Sequence, residues 1–119
     1  MRHRYTVRLE NNSIVGSATL IPMRESPDIT PPTYLLSSFA ILPAYRGEGH
    51  GRRLMQTIVR EADKEKATLL LTVDPDPPHP HFRTLSFDEL SAFYKKYGFE
   101  CIVEEGEPYY DLLLQREPT

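Results

Sequence analysis

The segment RGEGHGRR, Arg46 to Arg53, sets Gly47, Gly49 and Gly51 on alternate positions around Glu48 and His50. An apolar-striped run follows at once, so the glycines stand at the mouth of a helix. The first turn of a helix exposes four backbone N–H groups without acceptors and carries a partial positive charge. An anion seated there satisfies both, and glycine lets a bulky anion such as pyrophosphate reach the backbone. The other reading is a tight strand-to-helix turn with no ligand, and the glycines alone do not separate the two. Two familiar cradles are excluded by spacing. A P-loop requires Gly, four residues, then Gly-Lys-Ser/Thr, and no Lys-Ser or Lys-Thr pair follows. A dinucleotide fingerprint requires glycine three positions after its second one, where this chain has Arg52.

A second group of reactive side chains lies in DPDPPHPHF, Asp74 to Phe82, which carries Asp74, Asp76, His79 and His81. Its four prolines remove donors and fix backbone angles, so it cannot be regular structure. Two histidines without cysteines or an evident third ligand do not make a metal site, and none is expected.

The elements around these groups are readable from pattern. Tyr5 to Leu9 alternates as a strand, Glu10-Asn11-Asn12-Ser13 is turn chemistry, and Ile14 to Ile21 completes an antiparallel hairpin. Pro22 to Thr33 is an exposed loop, and Tyr34 to Leu42 is a third strand closed by Pro43. From His50 to about Lys66, Leu54, Met55, Ile58, Val59 and Ala62 fall on one helical stripe. Thr68 to Val73 is short and apolar enough for a buried strand. Ser86 with Glu89 forms a capping-box pattern for a second helix carrying Phe87, Leu90, Phe93, Tyr94 and Tyr97, with Gly98 at its C-terminal end. Cys101 to Val103 and Tyr109 to Leu114 read as strands joined by the acidic turn Glu104-Glu105-Gly106-Glu107. The order is β-β-β-α-β-α-β-β, an α/β (α+β) chain with one domain over residues 1–119.

Bulk properties bound the function. The 119 residues are 39% hydrophobic and 26% charged, ordinary for a globular domain. Seventeen acidic against 14 basic side chains give a net charge of -3, which does not favour nucleic acid as a partner. Cys101, the one cysteine, forms no intramolecular disulfide, which fits a reducing compartment. No apolar run reaches membrane-span length and the N-terminus lacks a signal core. The expectation is a cytoplasmic protein without a membrane partner.

Arg46-Gly47-Glu48-Gly49-His50-Gly51 resembles the acyl-CoA pyrophosphate loop of the GCN5-related N-acetyltransferases (GNAT superfamily), whose pattern is Arg or Gln, two residues, Gly, one residue, Gly or Ala. The preceding FAILPAYRGEGHG is similar to the family's apolar strand, Pro, aromatic, Arg arrangement. FYKKYGFE, Phe93 to Glu100, resembles the family's aromatic-Tyr-x-x-x-Gly-Phe helix end. The resemblance covers about residues 5 to 115. It starts near the family's second strand, so the sequence reads as a short form lacking the usual N-terminal strand and two helices. Phe87 stands where the family often has Asn.

The resemblance implies a mixed, mostly antiparallel sheet with helices on its faces, and acetyl transfer from acetyl-CoA to a primary amine by direct attack. Acetyl-CoA would lie in a splay between the parallel strands ending near Leu42 and Val73. Its pyrophosphate would rest on the amides of Gly47, Glu48, Gly49, His50, Gly51 and Arg52. Backbone groups of Phe39, Ala40 and Ile41 would hold the pantetheine and acetyl carbonyl, with Arg46 and Arg52 adding charge against phosphate. Tyr94 matches the family tyrosine that protonates the coenzyme A sulfur; the alternative is a core aromatic. For the general base, Asp74 ranks ahead of Asp76, His79 and His81, because it follows a central strand at the end where ligands gather. The acidic residues Asp74, Asp76, Glu104, Glu105 and Glu107 would suit a cationic amine, whether a small molecule, a protein lysine or an N-terminus. A catalytically weak module that binds coenzyme A or a protein partner is the competing reading. Leu112-Leu113-Leu114 fits either an internal strand or a homodimer contact.

Overall fold

The computed structural model describes residues 2–23, 32–73, 86–101 and 113–119. Its strands are β1 (Arg4–Arg8), β2 (Ile14–Pro22), β3 (Thr33–Ile41), β4 (Thr68–Thr72), β5 (Glu100–Cys101) and β6 (Leu113–Arg116). The helices are α1 (His50–Glu65) and α2 (Phe87–Lys95), and Pro43–Tyr45 makes one 3-10 turn ahead of α1. The strands form one sheet in the order β1-β2-β3-β4-β6-β5. Among the described residues only β3 and β4 run parallel; every other neighbouring pair there is antiparallel. This is the mixed, mostly antiparallel α/β architecture that the sequence implies.

Local chemistry accounts for the elements. The β1–β2 turn places Asn12 at φ 71 and lets Asn11 Oδ1 accept from the Ser13 amide at 3.0 Å. Asparagine tolerates that left-handed backbone and bonds its own chain there. Alternation in β1 and β2 buries Tyr5, Val7, Ala18 and Leu20. Leu54, Met55, Ile58 and Ala62 of α1 are buried in the same core as those residues, and α1 packs on β1, β2 and β3. Val59, expected on the same stripe, lies at its half-buried margin. In α2 the Ser86 hydroxyl accepts from the Glu89 amide at 3.2 Å and Glu89 Oε1 accepts from the Ser86 amide at 3.1 Å, the reciprocal cap expected from the sequence.

The last strand differs from expectation. Its described part runs Leu113–Arg116, two residues past the apolar Leu112-Leu113-Leu114. Hydropathy stops at Gln115, yet Arg116 pairs with Leu69 and is buried, because a carboxylate meets it inside. Leu113 and Leu114 sit between β4 and β5, so the internal position is the one found. The expected strand residues 102–103 and 109–112, the acidic turn and most of the Pro22–Thr33 loop lie outside the described residues.

Two features of β3 prepare the site. Ser17 pairs with Ala40 and Thr19 with Ser37, so β3 carries one extra residue there, with Ser38 at φ 55. Such a bulge bends the strand and disturbs its ladder. Farther along, β3 meets β4 only through Thr33↔Thr68, Tyr34↔Leu69 and Leu35↔Leu70. From Leu36 to Ile41 the edge of β3 away from β2 has no paired strand among the described residues. The two parallel strands therefore part at their C-terminal halves, as the splay requires.

Candidate active site

The chain leaves β3 through Leu42 and one 3-10 turn, with the Tyr45 amide donating to the Leu42 carbonyl at 2.9 Å. Gly47 and Gly49 then take φ 81 and φ 87, a region that costs other L-residues roughly 1–2 kcal/mol. Gly49 is the N-cap of α1, and its carbonyl accepts from the Arg53 amide at 3.1 Å. No side chain caps this end, and no acidic residue stands in the first turn. The opening amides of α1 keep both their donors and their positive potential, so the arrangement can receive an anion. Gly51, inside the first turn of α1, is not among the positive-φ glycines. A Cβ there would meet Ile41, Phe93 and Phe39 at 3.6–4.0 Å, ordinary contact, so packing does not demand glycine.

The cations flank this loop on two sides. Arg52 reaches back over it, with Nη2 3.7 Å from where a Gly49 Cβ would stand. It also faces Tyr97, whose phenol burial pushes up and the Arg52 charge pulls back. Arg46 turns the other way and donates from Nε to the Ile41 carbonyl at 3.1 Å. With Arg4, Ser17 and Ala40 it lines an open concavity of about 340 Å³.

His50, expected among the cradle residues, is 8% exposed. Its Nδ1 lies 2.6 Å from Arg53 Nη2, a guanidinium atom that can only donate, so Nδ1 accepts. Its Nε2 faces Glu48 Oε2 at 3.5 Å, and Tyr45 meets the ring edge-on. The imidazole is thereby fixed as a brace for the loop, and His50 retains only its amide to offer an anion. The Glu48 carboxylate is turned to His50 in the same way.

At the bulge, Phe39 projects toward α2. Its ring centroid lies 6.0 Å from Phe93 and 6.2 Å from Tyr94. Tyr94 also packs edge-on against Phe93 and Phe99. Burial alone pushes its phenol up to about 12, with no charge or hydrogen bond contributing. Tyr94 is therefore a buried aromatic whose phenol keeps its proton across the neutral range. One turn earlier on α2, the Ser91 hydroxyl is buried without a partner among the described residues. Asp74, Asp76, His79 and His81 lie outside the described residues. Among the described residues no cluster of three or more His, Cys, Asp or Glu could hold a metal ion, and no helix is long and apolar enough to cross a membrane.

The structure thus brings together Phe39, Ala40, Ile41, the loop from Gly47 to Arg52, and Tyr94. Sequence reading missed Gly16, where a Cβ would fall on the Ile41 side chain and 2.9 Å from Val7 Cγ1. The gap opposite Ile41 is needed for the end of β3 to seat. A glycine inside a strand pattern is the available signal for such a close approach.

A family model described as an acetyltransferase (GNAT) domain matches residues 2–101. The chain belongs to the GNAT acetyltransferase family. It is 40% identical over 55 residues to the histone acetyltransferase type B catalytic subunit of Kluyveromyces lactis, a stretch that is 46% of this chain and 12% of that protein. A GNAT-family acetyltransferase of Staphylococcus aureus superposes with a TM-score of 0.66 at 16% identity, over 98% of this chain and 68% of that one. A GNAT-family N-acetyltransferase of Escherichia coli, solved in complex with CoA, gives a TM-score of 0.66 at 13% identity, over 96% of this chain and 57% of that one. At these identities the two structures establish the fold.

Proposed function

We propose that residues 1–119 act as one acyl-CoA N-acyltransferase domain that moves an acetyl group from acetyl-CoA to a primary amine. One observation carries this reading: an uncapped helix start with two left-handed glycines follows β3, whose edge from Leu36 to Ile41 no described strand pairs on the side away from β2, and a buried tyrosine packs against Phe39. The family supports acetyl-CoA as the donor, and the E. coli neighbour was solved with CoA.

The residues fit that donor. Amides from Gly47 to Arg52 receive the diphosphate, and Arg52 adds charge beside them. Backbone groups of Phe39 to Ile41 align the pantetheine and hold the carbonyl oxygen as charge develops on it. Acetyl-CoA supplies the activated carbonyl carbon. The neutral amine forms the new C–N bond there, the C–S bond breaks, and the Tyr94 hydroxyl gives its proton to the departing sulfur. The amine's proton passes to a base, for which Asp74 is first candidate, followed by Asp76, His79 and His81. The acceptor is an amine of small-molecule or protein origin, and the acidic residues of the chain favour a cationic one.

Calorimetric titration with acetyl-CoA, followed by thiol release with spermidine and a lysine-bearing peptide, tests the reading. Saturable binding with turnover is expected. Binding without turnover across an amine panel would move the chain to the binding-module reading, and failure to bind at millimolar acetyl-CoA would overturn both.

A further inference from the structure

At nine residues, α2 is too short to hold its shape in water unaided. The Ser86–Glu89 box closes its first turn. Its other end is held from far along the chain. Arg116 on β6, 5% exposed, donates from Nε to the Tyr97 carbonyl at 2.6 Å. The same guanidinium meets Asp63, in the last turn of α1, with Nη1 to Oδ1 at 2.8 Å and Nη2 to Oδ2 at 2.9 Å. Asp63 also accepts from the Thr119 amide at 3.0 Å and the Thr119 hydroxyl at 3.3 Å. Gly98, at φ 96, lays its backbone against the Arg116 stem, where a Cβ would lie 3.6 Å from Nε. The Tyr97 amide in turn donates to the Tyr94 carbonyl at 3.0 Å. One buried side chain thus joins β6 and α1 to the turn from Tyr94 to Tyr97 that closes α2.

We propose that Arg116 is a positioning residue for acetyl transfer: by clasping the Tyr97 carbonyl against Asp63, it fixes the Tyr94–Tyr97 turn that closes α2 and with it the Tyr94 hydroxyl. The proposal rests on the reading of Tyr94 as the acid. The guanidinium fork is what the task requires, since a lysine ammonium carries the charge but cannot satisfy Asp63 and Tyr97 in one plane.

The test compares Arg116→Lys with the wild-type chain, alone and on a Tyr94→Phe background. Amide exchange from Tyr94 to Gly98 is expected to accelerate about tenfold more than exchange in α1 and β2. Calorimetric affinity for acetyl-CoA stays within about twofold, while kcat with spermidine or the lysine peptide falls about tenfold or more. In the Tyr94→Phe chain, Arg116→Lys costs no further kcat, because the group it aligns is gone. Uniform acceleration of exchange overturns the proposal whatever the turnover. Equal kcat losses on both backgrounds overturn it while leaving the acid assignment intact. Unchanged kcat in Tyr94→Phe alone removes the acid assignment and the proposal together. If Arg116→Lys does not fold, Arg116→Met with Asp63→Leu removes both charges and carries the same expectations.

Discussion

Burial in the core does not bar Tyr94 from the acid role proposed for it. Its ring fills space among Phe39, Phe93 and Phe99, and that same burial pushes the hydroxyl up to about 12. A raised phenol remains a proton donor while an amine acceptor, with a reference value near about 10.4 for lysine, becomes neutral. kcat/KM is accordingly expected to climb with pH as the amine deprotonates, without a falling limb from Tyr94 below about pH 11. A pH–rate profile in Tyr94→Phe checks the assignment: kcat should drop by about a hundredfold or more, with the acetyl-CoA KM held within about twofold. The loop glycines separate in the same manner. At Gly49 a side chain strains the backbone at φ 87 and stands 3.7 Å from Arg52 Nη2. Gly49→Val should weaken acetyl-CoA binding by about tenfold or more, read by calorimetry. At Gly51 a methyl group fits, so Gly51→Ala should raise stability by about 0.5–1 kcal/mol and leave that affinity unchanged.

At the level of elements, α1 unites packing and function. Its buried stripe of Leu54, Met55, Ile58 and Ala62 fixes the direction in which its uncapped end points. Ile58→Ala, at a position 0% exposed, should cost about 2–5 kcal/mol in denaturant unfolding. This helix was legible because its stripe repeats at helical spacing, and α2 because Ser86 and Glu89 announce its start. The element order β-β-β-α-β-α-β-β was legible too, since alternation and turn residues act locally. What escaped depends on contacts between distant residues. The bulge at Ser38 arises from the register between β2 and β3, and nothing in the type of a serine signals φ 55. Arg116 looks like the polar end of a strand until Asp63, 53 positions away, meets it. The His50 ring is held by near neighbours instead, Glu48, Arg53 and Tyr45, while its amide opens α1.

Over the whole molecule, the Arg116–Asp63 pair joins the end of the chain to both helices. The Arg116 guanidinium, through its hydrogen bonds first, holds the Asp63 carboxyl below its ordinary range, with Thr119 adding to the effect and partial burial opposing it. A depressed folded value means that the stabilisation is present in full above the unfolded value near 3.8 and is lost as pH falls through the lower folded value. Acid titration of stability should therefore be flatter in Asp63→Asn than in the wild-type chain below about pH 4. Asp63→Ala, which strands a buried guanidinium, should cost about 3–5 kcal/mol at neutral pH.

The parting of β3 from β4 has one further consequence. Residues 36–41 form half of a zipper whose other half is no strand of the described sheet. On the proposed reading, a guest with amide groups of its own, as pantetheine has, would close that seam the way an added strand would. Loading the seam would then be part of finishing the fold. At a hundredfold excess over its dissociation constant such a guest adds about 2.7 kcal/mol to unfolding, so a melting curve recorded against increasing guest reports how far the sheet has been completed.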